Sequence, residues 1–368
     1  MIDWVYSRKD LAELIIINMK ANLFDRVTIF APRKRGKTKF VQHDVIPLAL
    51  KLGVLPVYVD FWYDEDNPER SFVTGVNESI SAYAPTIEKM KTSKISSFEI
   101  SAFWMKMKTD TTSSLSDFDD CVRKLNSIDM PILLLLDEVQ HLGTRPEFSK
   151  FTKTLRSFMT ARADNKIKGL FTGSNQNDLK RLFEDSKAPF FESSSGVPFK
   201  ELDESFVKYQ LDNYKKARNG EEVNFDRAMT FFLEHHRKPE PITALLRQMA
   251  AYAITDIDYA LDNLELDFSE DSIRVSELLK RKDADFGILY LLAIGQASNL
   301  FSGETGQKLK VLGLVGCKQK VTASDLNNAK ARLLRDNLII NPSRGEFHLE
   351  SPELADVVIA AFKEKQAK

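Results

Sequence analysis

Two short segments of this chain carry residue types suited to a polyphosphate. One is Gly36-Lys37-Thr38, and the other is Asp137-Glu138 at the end of an apolar run. Residues Ala31, Pro32, Arg33, Lys34, Arg35, Gly36, Lys37 and Thr38 fit the pattern G-x-x-x-x-G-K-[ST] except at the first position, where Ala31 stands. Such a loop turns backbone N–H groups, and then a helix N-terminus, toward anionic oxygens. Lys37 can reach the β- and γ-phosphates, and Thr38 can place a hydroxyl on Mg²⁺. About a hundred residues on, Asp137 is suited to hold Mg²⁺ directly or through water, and Glu138 to orient and polarise an attacking water as general base. Glycine's freedom in φ helps the sharp turn at a strand exit, so Ala31 fits there if its φ is negative. The cations Arg33, Lys34, Arg35 and Lys39 have two readings. They are a solvated charge run, or extra positive potential for phosphates, a neighbouring subunit or nucleic acid.

These residues need strands and helices to place them. Val27–Phe30 reads as a short buried strand feeding the loop. Residues 38–52 read as a helix with Phe40, Val41, Val45, Leu48 and Leu52 on its inner face, ended by Gly53 and disturbed by Pro47. Leu55–Phe61 is the next strand, and Ile132–Leu136 has the continuous apolar character of a central parallel strand. Helical patterns cover 8–20, 70–90, 117–126 and 148–162. Ile167–Thr172 is a further strand, and Gly196–Phe199 the last. Residues 92–116, with Phe98, Phe103 and Trp104, read as helix and loop. This order predicts an α/β unit: a parallel sheet with helices on both faces.

Beyond residue 203 strand signals stop. Helices are expected over 204–218, 225–235 and 241–254, followed by an acidic stretch over 257–272 and an apolar helix over 285–298. Ala323–Asp336, Leu338–Ile340, Asn341–Gly345 and Glu346–Leu349 follow as helix, strand, turn, strand, the outline of a winged helix. The domain boundaries implied are 1–203 for the phosphate-binding core, 204–280 for a helical lid and 281–368 for the winged helix.

The chain has 368 residues and a formal net charge of −1, so bulk charge points to neither nucleic acid nor membrane. With two cysteines and five histidines, no metal-ligand spacing and no disulfide framework is expected. The apolar runs are too short to span a bilayer, and no secretory leader is apparent at the N-terminus, so a cytoplasmic location and no membrane partner are expected.

Gly173-Ser174-Asn175 ends the strand expected beside the carboxylate strand. Asn175 or Ser174 could contact a γ-phosphate or the lytic water; alternatively the segment caps the next helix. His236-Arg237-Lys238-Pro239-Glu240-Pro241 opens a helix. Taken with the loop and the Leu-Leu-Leu-Leu-Asp137-Glu138 run, these motifs resemble the AAA+/STAND group of P-loop ATPases. Leu182-Phe-Glu-Asp-Ser-Lys187-Ala-Pro-Phe-Phe191 and Val197-Pro-Phe-Lys-Glu-Leu202 resemble the archaeal-type ATPases within it. The lid and winged helix are similar to those of origin-recognition initiators. The resemblance implies an AAA+ sheet with a helical lid and a C-terminal winged helix, ATP and Mg²⁺ as ligands, and ATP hydrolysis. It implies Asn175 or Ser174 as sensor 1 and a lid cation as sensor 2, Arg237 ahead of Arg247. Arg156, Arg162, Arg181 and Lys187 lie where an arginine finger could come from, and none is singled out.

In the last segment Lys308, Lys310, Lys318, Lys320, Lys330, Arg332 and Arg335 face a single acid, Asp325. With Arg344 on the wing, these cations would grip duplex DNA phosphates, while Leu326, Ala329, Leu333 and Leu334 belong to the core. The function expected is an ATPase that switches conformation or forms a homo-oligomer and acts on double-stranded DNA. The alternative is a STAND-like nucleotide switch that binds a protein partner without DNA.

Overall fold

The structure is a computed structural model that describes residues 2–91, 117–161, 166–183, 190, 193–264, 271–297, 299–315, 321–342 and 345–367. Phe98, Phe103, Trp104, Arg162, Lys187, Lys318, Lys320 and Arg344 lie outside the described residues. The chain divides into two compact units, Asp3–Glu201 and Leu202–Lys368, the second together with Ile2. The segments 204–280 and 281–368 share the second unit.

The first unit is built on strands β1 (Arg26–Phe30), β2 (Leu55–Asp60), β3 (Ile132–Asp137), β4 (Ile167–Gly173) and β5 (Ser195–Gly196) in the order β2-β3-β4-β1-β5, every pairing parallel. All residues of β3 and β4 are buried, as a strand covered on both faces requires. The alternation of side chains decides which core each residue joins. Leu133 and Leu135 pack with helix α1 (Lys9–Lys20) and with Val41 and Val45. Ile132, Leu134 and Leu136 pack on the opposite face with residues of helices α3 (Pro68–Lys91), α4 (Phe118–Ser127) and α5 (Ser149–Thr160). Gly75 lets α3 lie tight on β2, because a Cβ there would stand 2.5 Å from the Tyr58 carbonyl oxygen. Cys121 on α4 is a free, buried thiol pushed up to about 12, chiefly by burial, which makes it a poor nucleophile.

The helix after the loop, α2 (37–51), departs from its expected phase. Regular turns Lys37–Phe40 and Ile46–Lys51 flank a π turn, Val41–Val45. Pro47 explains the interruption: it has no N–H for an i−4 bond and its ring crowds the preceding turn. The extra residue rotates the buried face, so Ile46 and Ala49 are buried where Leu48 and Leu52 had been expected, and those two are only half-buried. Buried Asp44, in the π turn, accepts from Ser7 Oγ at 2.6 Å and from the Arg8 N–H at 3.0 Å, tying the N-terminal segment to α2.

The second unit starts with helices α7 (Glu204–Ala217), α8 (Phe225–Glu234) and α9 (Pro239–Tyr252), near the expected positions. Helix α10 (Ile257–Asn263) then occupies the start of the acidic stretch; the Asp256 side chain accepts from the Tyr259 N–H at 2.8 Å and caps it. Helices α11 (Asp271–Leu279), α12 (Asp283–Ala293), α13 (Gly303–Val311) and α14 (Ala323–Arg335) follow. The antiparallel pair β6 (Ile339–Ile340) and β7 (His348–Leu349) and helix α15 (Pro352–Ala367) complete it. This is the expected winged-helix outline, extended by α15. Thr322 and Asp325 form a capping box at the start of α14, and Leu326, Ala329 and Leu333 bury its inner face. No helix of the described residues is long and apolar enough to cross a membrane.

The cations of α14 differ from expectation. Arg332 pairs with buried Asp285 of α12 through both Nε and Nη2, and Lys330 lies 4.9 Å from the Phe301 ring centroid and 5.9 Å from that of Phe347. Arg335 stays exposed, beside Asp336 at 3.1 Å. The exposed residues of α14 are Ala323, Ser324, Asp325, Asn327, Asn328, Ala331 and Arg335, more amide than cation, with one acid against one cation. Removing one partner of the Arg332–Asp285 pair leaves a charge without its counter-ion. Asp285→Ala is therefore expected to destabilise the second unit by about 3 kcal/mol, read as a shift of its urea transition. A loss below about 0.5 kcal/mol, as for an ordinary surface pair, would show that the pair has no structural weight.

Candidate functional site

β1 delivers the chain to Ala31, whose N–H donates to the Gly173 carbonyl at 3.3 Å. Ala31 is not among the positive-φ residues, so its methyl group meets no backbone penalty at the strand exit. The left-handed bends fall later in the loop, at Lys34 (φ 61°) and Gly36 (φ 89°). Gly36 is the natural residue for the second bend, whereas Lys34 adopts it against its side chain's preference. The loop closes on itself: Lys37 Nζ donates to the Ala31 carbonyl at 2.6 Å and to the Pro32 carbonyl at 3.1 Å, and Lys37 is 4% exposed. The remaining cations divide. Arg35 is buried, Lys34 and Lys39 are exposed, and the Arg33 guanidinium stacks 4.5 Å from the centroid of the Trp62 ring. Trp62 in turn packs beside His141 at 5.6 Å. The cations are therefore no uniform solvated run.

At the end of β3, Asp137 is 2% exposed and accepts four hydrogen bonds. Thr38 Oγ1 donates to Oδ2 at 2.8 Å and the Tyr58 hydroxyl to the same oxygen at 2.9 Å. Thr172 Oγ1 and the Glu138 N–H, the latter at 3.1 Å, donate to Oδ1. Burial and then the Asp137 charge hold the Tyr58 hydroxyl well above its ordinary value, so it remains a donor. Thr38 and Asp137 thus bring two hard oxygens from the loop and the carboxylate strand into contact. Such a pair suits Mg²⁺, which takes one or two carboxylate or hydroxyl ligands and completes its shell with water and substrate phosphates. Among the described residues no group of three or more His, Cys, Asp or Glu forms an all-protein metal cage.

Glu138 follows in a left-handed conformation (φ 53°, ψ 40°) that turns it off the strand axis. Its Oε2 accepts from Ser174 Oγ at 2.6 Å and from Gln140 Nε2, and Gln140 Nε2 also donates to Ser174 Oγ at 3.2 Å. Of the two residues offered at the end of β4, Ser174 therefore meets Glu138. The Asn175 side-chain oxygen accepts from the Asp178 N–H at 3.1 Å, in the first turn of helix α6 (Gln176–Phe183). Arg237 belongs to the second unit. It stands in a left-handed turn (φ 58°) ahead of α9, and its Nη1 donates to the Leu202 carbonyl at 3.4 Å. Tyr58, Thr172 and Gln140 join the site without having been singled out in the sequence. Gln140 alone carried a local signal, two residues beyond Glu138.

Asp60 ends β2 in register with Asp137. Burial, foremost, and then the Asp137 and Glu138 charges raise its carboxyl above the ordinary value, partly opposed by the Trp62 N–H that it accepts. The folded chain thus holds this proton more tightly than the unfolded chain, and stability is lost as pH rises through the ordinary carboxylate range toward the raised value. Asp60→Asn is expected to be more stable than the parent at neutral pH and equal to it in acid below that range. Denaturation midpoints at the two pH values measure this, and an equal difference at both would reject it.

No family model matches the sequence, and neither does any curated protein. Solved structures do match its fold. A Walker-type ATPase of Pyrococcus abyssi aligns with a TM-score of 0.63 at 16% identity, covering 96% of each chain. The ORC2 protein of Aeropyrum pernix in its ADP form aligns with a TM-score of 0.59 at 15% identity, covering 98% of this chain and 94% of the other. The same protein in ADPNP–ADP complexes aligns at 0.53 with 14% identity, covering 98% and 93%. The fold is the α/β fold of these Walker-type ATPase and ORC2 structures, and the likeness extends over nearly the whole chain.

Proposed function

We propose that this protein binds ATP with Mg²⁺ and hydrolyses it, and uses the change of bound nucleotide to switch conformation or assembly and to act on double-stranded DNA through its winged helix. The observation that carries the nucleotide reading is the contact between Thr38 Oγ1 and Asp137 Oδ2, 2.8 Å, which joins the phosphate loop to the carboxylate strand. The loop from Ala31 to Thr38 cradles the phosphates with its backbone N–H groups, and Lys37 neutralises charge on the β- and γ-oxygens. Thr38 and Asp137 would hold Mg²⁺, which when bound offsets charge on the phosphate oxygens. Glu138 accepts the proton of a water as its oxygen bonds to the γ-phosphorus and the bond to the β,γ-bridging oxygen breaks. Asn175 follows Ser174 in the chain and caps α6 with its side-chain oxygen, so it is the candidate for the γ-phosphate or the lytic water through its amide nitrogen, and Arg237 is the second unit's candidate cation for the γ-phosphate.

The DNA reading rests on the exposed face of α14. Its Asn327, Asn328 and Arg335 side chains are of the types that read base edges and phosphates, and Lys308 on α13 is also exposed. The inward commitment of Arg332 and Lys330 reduces the phosphate-binding charge and favours the second reading, a nucleotide switch whose winged helix or oligomer contacts a protein.

Lys37→Ala is expected to abolish ATP binding, measured by titration with a fluorescent ATP analogue; unchanged affinity would overturn the site. Glu138→Gln is expected to bind ATP with the parent's affinity and to turn it over at least about a hundredfold more slowly. Parental turnover by that variant would remove Glu138 as the base. For DNA, the expectation is a duplex affinity that falls steeply with salt and is weakened by Arg335→Ala together with Lys308→Ala. No binding at low salt would leave the protein-partner reading.

A further inference from the structure

The contacts around Glu138 contain a residue whose burial has no packing rationale. Gln140 is 2% exposed, and its amide oxygen is buried without a hydrogen-bond partner among the described residues. An apolar side chain of similar length would fill the same space without leaving an amide oxygen unpaired. The nitrogen end accounts for the amide. Its NH₂ group donates to Glu138 Oε2 and, at 3.2 Å, to Ser174 Oγ. Reversing the amide would set its oxygen against a carboxylate, so the chemistry itself assigns the nitrogen to this side.

That assignment has a consequence for Ser174. A hydroxyl has one hydrogen. Because Gln140 donates to Ser174 Oγ, the serine hydrogen is left to point at Glu138 Oε2, 2.6 Å away. Gln140 Nε2, Ser174 Oγ and Glu138 Oε2 form a closed triangle, and both of the donors to Glu138 converge on a single carboxylate oxygen. The other oxygen, Oε1, receives neither. The surrounding backbone makes room for this arrangement. Glu138 adopts its left-handed turn just before the short helix Val139–Gly143 that carries Gln140. Gly173 faces the amide, and a Cβ there would stand 2.7 Å from Gln140 Oε1.

We propose that Gln140 is a positioning residue for hydrolysis: it orients the Ser174 hydroxyl and, with it, pins Glu138 Oε2, so that Oε1 is the oxygen presented to the attacking water. This rests on the assignment of Glu138 as the base. The role is one of aim. Gln140 acts through Ser174 and Glu138, and removing it lets the carboxylate rotate away from the line of attack.

The test is a kinetic cycle on the full-length protein with Mg-ATP. Gln140→Met keeps the length and removes the donor. Its kcat is expected to fall on the order of tenfold, as for other residues that orient a working ligand, with KM for ATP and the affinity for a fluorescent ATP analogue unchanged. Combined with Glu138→Gln, it is expected to cause no further loss, because both changes remove one function. Gly173→Ala, which displaces the amide without deleting it, is expected to lower kcat in the same direction. Parental kcat in Gln140→Met, or a loss that multiplies with that of Glu138→Gln, would overturn the role of Gln140 and leave the ATPase reading intact. An unmodified protein that binds ATP and never hydrolyses it would overturn both.

Discussion

Asp137 sits at the end of a fully buried strand, and donors from four places in the sequence converge on its two oxygens. Taking a carboxylate out of water costs several kcal/mol, and each hydrogen bond to it returns about 1.5–3 kcal/mol. Thr38, Tyr58, Thr172 and the Glu138 N–H together offset that cost. The same contacts order the first unit. Thr38 fixes the start of α2 against β3, Tyr58 fixes β2, and Thr172 fixes β4. The residues that would handle phosphate are thus held by one shared electrostatic demand, and disturbing any of the four is felt by the others.

What the sequence made legible follows from how far apart the cooperating residues lie. The phosphate loop and the Asp137-Glu138 pair are local patterns, and a parallel strand buried on both faces is a run of apolar residues, so these were readable. Tyr58 and Thr172 reach Asp137 from 79 and 35 residues away, and neither a tyrosine in a strand nor a threonine before a glycine marks itself. The core face of α2 was misread because Pro47 forces a π turn, and one extra residue shifts everything beyond it around the helix. Helix α10 was missed because its acidic residues mask an apolar pair, Ile257 and Ala260, that is buried. Asn175 and Ser174 looked equivalent in the sequence; the turn at the end of β4 sends one to Glu138 and the other to the first turn of α6.

The second unit shows the limit of counting charges. Its terminal helices carry a run of cations that suggests phosphate binding, yet two of the three on α14 are used inside the domain. Arg332 serves a buried aspartate and Lys330 lies over aromatic faces, where a long aliphatic stem and a positive head are both accommodated. The surface that remains is polar, with amides, one acid and one cation.

The placement of β4 between β1 and β3 has a metrical consequence. Neighbouring strands lie about 4.8 Å apart, so the strand that ends in the loop and the strand that ends in the carboxylates are separated by two such steps, about 9.6 Å. Backbone pairing sets this interval, and β4 is paired in register with both neighbours, from Arg26↔Gly169 on one side and Ile132↔Ile167 on the other. The sheet therefore works as a gauge. Whatever occupies the gap must match a length that side-chain evolution can trim only at its ends, which leaves the tips of the strands free to vary in chemistry while the span between them stays constant.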